Sequence, residues 1–186
     1  MLKFLDILML GKIMYNKTLK FLSKKMKRKE IIDQLKSIYE HSQWVPERLL
    51  SENINEIQTK EELQLMMKKI VDNSSETEKL NLINAHPELG TKFQKKEKLT
   101  KFSEDEQKSA GLDQCSDEEF EILTNLNKEY RLKFKFPFII AVKGLNKKQI
   151  IDNMQKRVNN NKTEEFETAI SEIHKIAGLR IKDLTY

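Results

Sequence analysis

"TKEELQLMMKKIVDNSSETEKLNLINAHP", residues 59–87, reads as two consecutive helices and decides the fold class. Thr59 stands three residues before Glu62, the spacing of a capping box, in which each side chain satisfies a backbone N–H that the other residue's helix turn leaves bare. Behind it Leu63, Met66, Met67, Ile70 and Val71 fall on one face of a 3.6-residue repeat, which predicts a helix with a buried stripe. Ser75 and Glu78 repeat the device ahead of Leu80, Leu82 and Ile83. Proline disfavours the α conformation in the residue before it, so Pro87 predicts that the chain leaves the helix at His86 and displays the imidazole at a fixed end.

The same grammar extends in both directions. Ile31, Ile32, Leu35, Ile38 and Tyr39 mark a helix, and Pro46 suits the first turn of the next. Ser103 with Glu106 has capping-box spacing and Gly111 closes that segment, while Ser116 with Glu119 opens a longer helix through Leu123 and Tyr130. Two more amphipathic stretches follow, through Ile150, Met154 and Val158, and through Phe166, Ala169, Ile173 and Ile176. Ahead of these two, after Tyr130, lies "KFKFPFIIAVKG" (133–144), β-branched and aromatic. No second run of that quality exists to pair with it, so it is expected to be a buried extended segment or short helix ended by Gly144. Residues 91–102 read as a charged, solvated connector. The expectation is an all-α, single-domain irregular bundle of about seven to nine helices, in keeping with only five glycines and three prolines in 186 residues.

Charge narrows the function classes. The formal charge of +5 is concentrated in residues 1–30, where nine Lys/Arg face Asp6 and Glu30 for a net of +7, leaving the rest slightly acidic at −2. That distribution argues against a nucleic-acid-binding face on the body of the protein. Residues 1–28 are expected to be a basic extension outside the fold, and 29–186 the domain. Lys3, Asp6 and Lys12 interrupt the apolar N-terminal run, so no membrane span is expected. A lone Cys115 and three scattered histidines give neither a disulfide nor a zinc-like spacing, and His41 and His174 read as structural.

Three elements can carry chemistry. A histidine held near neutrality can take and return a proton, a carboxylate beside it can orient the ring, and the apolar 136–142 run can desolvate a small polar ligand and offer backbone N–H groups to its carbonyls. Each has a plainer reading: His86 bonding its own helix's last carbonyls, Ser103 and Glu106 serving as a cap, and 136–142 as core.

Together with their order and spacing, "YEHSQWV" (39–45), "AHPELG" (85–90), "SEDEQKSAGL" (103–112), "LNKEYRLKFKFPFIIAVKG" (126–144), "RVNN" (157–160) and "IHKIAGLRIKDL" (173–184) resemble the 2-oxo-4-hydroxy-4-carboxy-5-ureidoimidazoline (OHCU) decarboxylases of urate degradation. The resemblance implies a cofactor-independent lyase forming (S)-allantoin from a small-molecule substrate, working as a homodimer without nucleic acid. It implies His86 as catalytic acid/base and Glu106 as its partner, with Pro87, Ser103, Gln107 and the backbone of Phe138, Ile139, Ile140, Ala141 and Val142 around the substrate. Arg180 is expected to bind the substrate carboxylate, with Arg157 the runner-up. Lys135 stands where the family pattern has glycine. The closing Asp-Leu-Thr-Tyr is unlike a peroxisomal signal, so the cytoplasm is the expected compartment and the peroxisome the alternative. The competing readings are a non-catalytic helical interaction module of the same fold, and a nucleic-acid or membrane-surface protein acting through the basic N-terminal segment.

Overall fold

A computed structural model describes residues 27–52, 57–90 and 99–184. Eight α-helices follow in order: α1 (Arg28–Leu35), α2 (Trp44–Leu49), α3 (Lys60–Asp72), α4 (Glu76–Asn84), α5 (Lys101–Ser109), α6 (Asp117–Phe134), α7 (Lys147–Arg157) and α8 (Lys162–Asp183). A 3₁₀ turn, Leu112–Gln114, follows α5, and no strand occurs among the described residues. The all-α expectation holds. The expected extension at 1–28 and the connector at 91–102 fall mostly outside the described residues.

Helix starts follow side-chain chemistry. Thr59 accepts from Glu62 N–H at 3.1 Å, and Glu62 accepts from Thr59 N–H at 2.9 Å. Reciprocal caps also form at Ser75 with Glu78, Ser116 with Glu119 and Asn146 with Gln149. The Ser103–Glu106 cap does not form. Thr100 caps α5 instead, its hydroxyl accepting from Ser103 N–H at 3.3 Å. Two hydroxyls three residues apart competed for one helix start, and the upstream one won, which places Ser103 inside the first turn with its side chain turned to the core.

The 22-residue α8 forms the spine, packing on α3, α4 and α6. Its buried face runs through Ala169, Ile170, Ile173, Ile176, Ala177, Gly178 and Ile181. Leu63, Met67 and Val71 of α3 are fully buried, each such side chain contributing about 1.5–3 kcal/mol of burial. His174 on α8 is a tie between layers, as expected. Tyr39 Oη donates to its Nδ1 at 3.0 Å and its Nε2–H donates to Asp72 Oδ1 at 3.0 Å.

The 133–144 run resolves into the end of α6 and a buried segment without helix, turn or bend over 137–142. Its aromatic residues join one cluster: Tyr130 lies edge-on to Phe138 at 5.3 Å, and Phe134 stacks on Phe136 at 5.9 Å. Gly144 follows at φ +87°, a conformation glycine adopts without strain.

Lys135 ends α6 at φ +67°. An L side chain there crowds its own carbonyl at a cost of about 1–2 kcal/mol, which gives the physical reason for the glycine in the family pattern. Lys135→Gly is therefore expected to stabilise the protein by about 1 kcal/mol, raising Tm by about 2–4 °C in a thermal melt. An unchanged or lower Tm would contradict a strained helix end.

Candidate active site

The site begins where α4 stops. His86 N–H bonds back to Ile83 O at 3.1 Å, tightening the last turn, and its ring Nδ1–H donates to Leu82 O at 2.9 Å. That bond fixes the Nδ1–H tautomer and leaves the Nε2 lone pair, which is buried and has no hydrogen-bond partner among the described residues. One nitrogen thus finishes the helix, as the plainer reading expects, and the other keeps a lone pair with no protein partner among the described residues. Burial drives its pKa down to about 4; the negative charge of Glu40 and the Leu82 bond oppose the shift, and the positive Arg180 adds to it. The imidazole is neutral at pH 7.

His86 and Pro87 form one side of a cleft. Ser103, Glu106 and Gln107 line it from α5, Ile176 and Arg180 from α8, and Phe138, Ile139, Ile140 and Val142 from the non-helical segment after α6. The sequence-expected residues thus converge, with two differences. Ala141 does not line the cleft, since its N–H is turned to Glu172 Oε2 at 2.9 Å. Arg157 stands behind the wall, donating to Ile139 O at 2.7 Å and to Glu165 Oε1 at 3.0 Å, so Arg180 is the arginine facing the cleft.

Arg180, 2% exposed, spends all five donors on protein. Nε–H and Nη2–H grip the two oxygens of Glu106 at 2.8 Å each. Nη1–H groups reach Ser37 O at 2.9 Å and Glu40 Oε2 at 2.8 Å, and the second Nη2–H reaches Ser103 Oγ at 3.0 Å. Glu106 consequently pairs with Arg180, and no hydrogen bond joins it to His86 among the described residues. The carboxylate that acts electrostatically on His86 is Glu40.

Glu40 is the residue that sequence reasoning missed. It is buried at 1% exposure and accepts from Arg180, from Ser103 Oγ at 2.8 Å and from Thr100 Oγ1 at 2.8 Å. Burial pushes its carboxyl up, but Arg180, His86 and the Ser103 hydroxyl outweigh it and hold the pKa below the usual carboxylate value. Its φ of +49° is a conformation that a non-glycine residue rarely keeps. The only signal in sequence was its place inside "YEHSQWV"; nothing local marks a contact with a residue 140 positions away. Ile176 is a lining residue not foreseen, and so is Leu89. Below it, Gln107 Oε1 accepts from Gly90 N–H at 3.1 Å and Asn127 Nδ2 donates to Leu89 O at 2.9 Å, which pins the 86–90 turn.

A family profile described as OHCU decarboxylase matches residues 24–182. A 2-oxo-4-hydroxy-4-carboxy-5-ureidoimidazoline decarboxylase of Haloferax volcanii is 40% identical over 82% of this chain and 87% of its own length. A uric acid degradation bifunctional protein of Bacillus sp. (strain TB-90) is 39% identical over 86% of this chain, which spans 30% of that longer protein. The crystal structure of an (S)-allantoin synthase superposes with a TM-score of 0.70 at 33% identity, covering 88% of this chain and 52% of that one.

A buried neutral imidazole has a measurable signature. Nitrogen NMR of His86 is expected to report the Nδ1–H tautomer at pH 7 and protonation only near pH 4. The unfolded chain takes up that proton near 6.5. His86 therefore leaves stability untouched above pH 6.5 and withdraws it progressively as pH falls toward 4. Titration near 6.5 in the folded protein would contradict the desolvated site.

Proposed function

The chain belongs to the OHCU decarboxylase family, and on that premise we propose that its cleft decarboxylates 2-oxo-4-hydroxy-4-carboxy-5-ureidoimidazoline to (S)-allantoin in urate degradation. The observation that carries the reading is the unpaired Nε2 of His86, a base with a fixed tautomer at the edge of a cleft containing a carboxylate and a guanidinium.

The chemistry asks little of the protein. When the C–C bond to the carboxylate breaks, the electron pair moves toward the adjacent ring C=N, whose nitrogen takes up a proton. The substrate thus carries its own electron sink and no cofactor is needed. His86 Nε2 takes the proton of the substrate hydroxyl as the ring carbonyl forms, and a site proton is delivered to one face of the ureido-bearing carbon. Neutrality at working pH makes His86 competent for the first of these steps.

Arg180 has no spare donor, so capture of the substrate carboxylate proceeds by exchange. Glu106, 22% exposed, is the accessible partner, whereas Glu40 is sealed at 0%. A substrate carboxylate of the same shape and charge takes the place of Glu106 on the guanidinium fork, and the freed Glu106 turns to the ureido N–H groups. After carbon dioxide leaves, Glu106 returns to Arg180. The N–H groups of Ile140 and Val142, which have no acceptor among the described residues, suit the ring and ureido carbonyls, and the Gln107 amide N–H₂ adds a donor. No described helix is long and apolar enough to cross a membrane. The family resemblance supports a cytoplasmic homodimer acting on a small molecule.

His86→Ala is expected to lower kcat/KM by roughly 10²–10⁴-fold while leaving the helical circular dichroism of the fold intact. The assay follows the optical activity of allantoin made from substrate generated freshly from urate. Rapid (S)-allantoin from wild type and a racemate from the variant support the reading. Wild-type turnover in the variant would remove His86 from the chemistry, and a racemate from wild type would overturn the activity itself.

A further inference from the structure

The wall of the cleft, residues 138–142, belongs to no helix, and among the described residues three hydrogen bonds hold its backbone. Arg157 Nη1–H donates to Ile139 O at 2.7 Å, Ala141 N–H donates to Glu172 Oε2 at 2.9 Å, and Leu145 N–H donates to Val142 O at 2.9 Å. In an extended chain the N–H and C=O of residues two apart point to the same edge, and those of the residues between point to the other. Anchoring the odd-numbered pair therefore presents Ile140, with Phe138 and Val142, to the opposite edge. The cleft is lined by Phe138, Ile139, Ile140 and Val142 and not by Ala141, whose N–H is the one turned to Glu172.

We infer that Glu172 on α8 and Arg157 on α7 are a pair of positioning residues that set the register of this wall and so aim its free N–H groups at the substrate ring. Both are built for the task. Arg157 is 8% exposed, locked to Glu165, which is itself bound by Tyr130 Oη and by Asn160 Nδ2 at 2.8 Å, and its guanidinium lies 4.4 Å from the centre of the Phe138 ring. Glu172 is 12% exposed, and its second oxygen holds Lys175 at 2.5 Å, so the carboxylate is tethered where it meets Ala141. Neither side chain lines the cleft; each acts through backbone atoms. The consequence is facial control. If the wall fixes the ring's orientation, it decides which face of the ureido-bearing carbon receives the proton.

The inference rests on the decarboxylase reading, and the test separates the two. Wild type, Glu172→Gln, which keeps an acceptor oxygen, and Glu172→Ala, which loses it, are compared by amide hydrogen exchange over 138–142, thermal melting, kcat/KM and the (S) excess of the allantoin formed. Glu172→Ala is expected to fold, to exchange faster in 138–142, and to lose roughly 10- to 100-fold in kcat/KM. Its (S) excess should fall and stay low when more enzyme is added. Glu172→Gln should remain within about 3-fold of wild type, with its (S) excess kept, since a neutral acceptor bond has roughly half the strength of a charged one. A merely structural role would lower the amount of active enzyme, and adding enzyme would restore pure (S) product. Wild-type exchange and stereochemistry in Glu172→Ala, or equal damage in Glu172→Gln, would overturn the inference and leave the decarboxylase reading standing. A racemate from wild type beside altered exchange in Glu172→Ala would do the reverse. If Glu172→Ala fails to fold, Arg157→Lys, which keeps the charge toward Glu165 and loses the reach to Ile139, is read by the same measurements, and unchanged exchange and (S) excess there would overturn the inference.

Discussion

The Arg180 guanidinium is the constraint around which the site is assembled. Taking an arginine to 2% exposure costs several kcal/mol in lost hydration, and the cost is offset only if every donor finds an acceptor. Here each does, and the acceptors come from two parts of the chain remote from the arginine's own helix α8: the turn after α1 (Ser37 O and Glu40) and helix α5 (Ser103 and Glu106). Removing the guanidinium would leave the carboxylates of Glu40 and Glu106 without their cation, at about 3–5 kcal/mol. The cluster thus ties remote segments together and gives the cleft its charged floor.

The same network shapes the electrostatics of His86. Two carboxylates around one guanidinium leave a formal −1, while burial keeps His86 neutral at working pH. Under the proposed function, a substrate carboxylate entering such a site meets repulsion unless Glu106 yields its place, which would couple binding and decarboxylation to one side-chain exchange. Strain accompanies this design. Glu40 is held at φ +49° by its bonds to Arg180, Ser103 and Thr100, whereas Lys135 at φ +67° carries comparable strain with no role in the cleft.

What the sequence made legible was local physics. Capping pairs and apolar stripes located the helices, and Pro87 located the end at which His86 is displayed. Lining residues Ser103, Glu106, Gln107, Phe138 and Arg180 were named through family resemblance, not spacing. The misreadings were of the other kind. Ser103 was read as a cap because its spacing to Glu106 fits, and only the competing hydroxyl of Thr100 explains why it turns inward. Glu106 was paired with His86, whereas a fully buried guanidinium claims it first. Glu40 carries no local signal, since its partner lies at the far end of the chain, and the Ala141 N–H is drawn to Glu172 instead of the cleft. Long-range pairing of charges, and the side to which an irregular segment turns, are properties of the packed chain.

The most direct measurement is a crystal structure of the protein grown with (S)-allantoin. The expected result has the ring in the cleft between His86 and the 138–142 wall, with Nε2 roughly 2.6–3.2 Å from a ligand polar atom. The Glu106–Arg180 fork should remain closed, because the product has no carboxylate to compete for it. Allantoin bound elsewhere, or seated in the cleft with Nε2 still unpartnered, would contradict the assignment of His86 as the base.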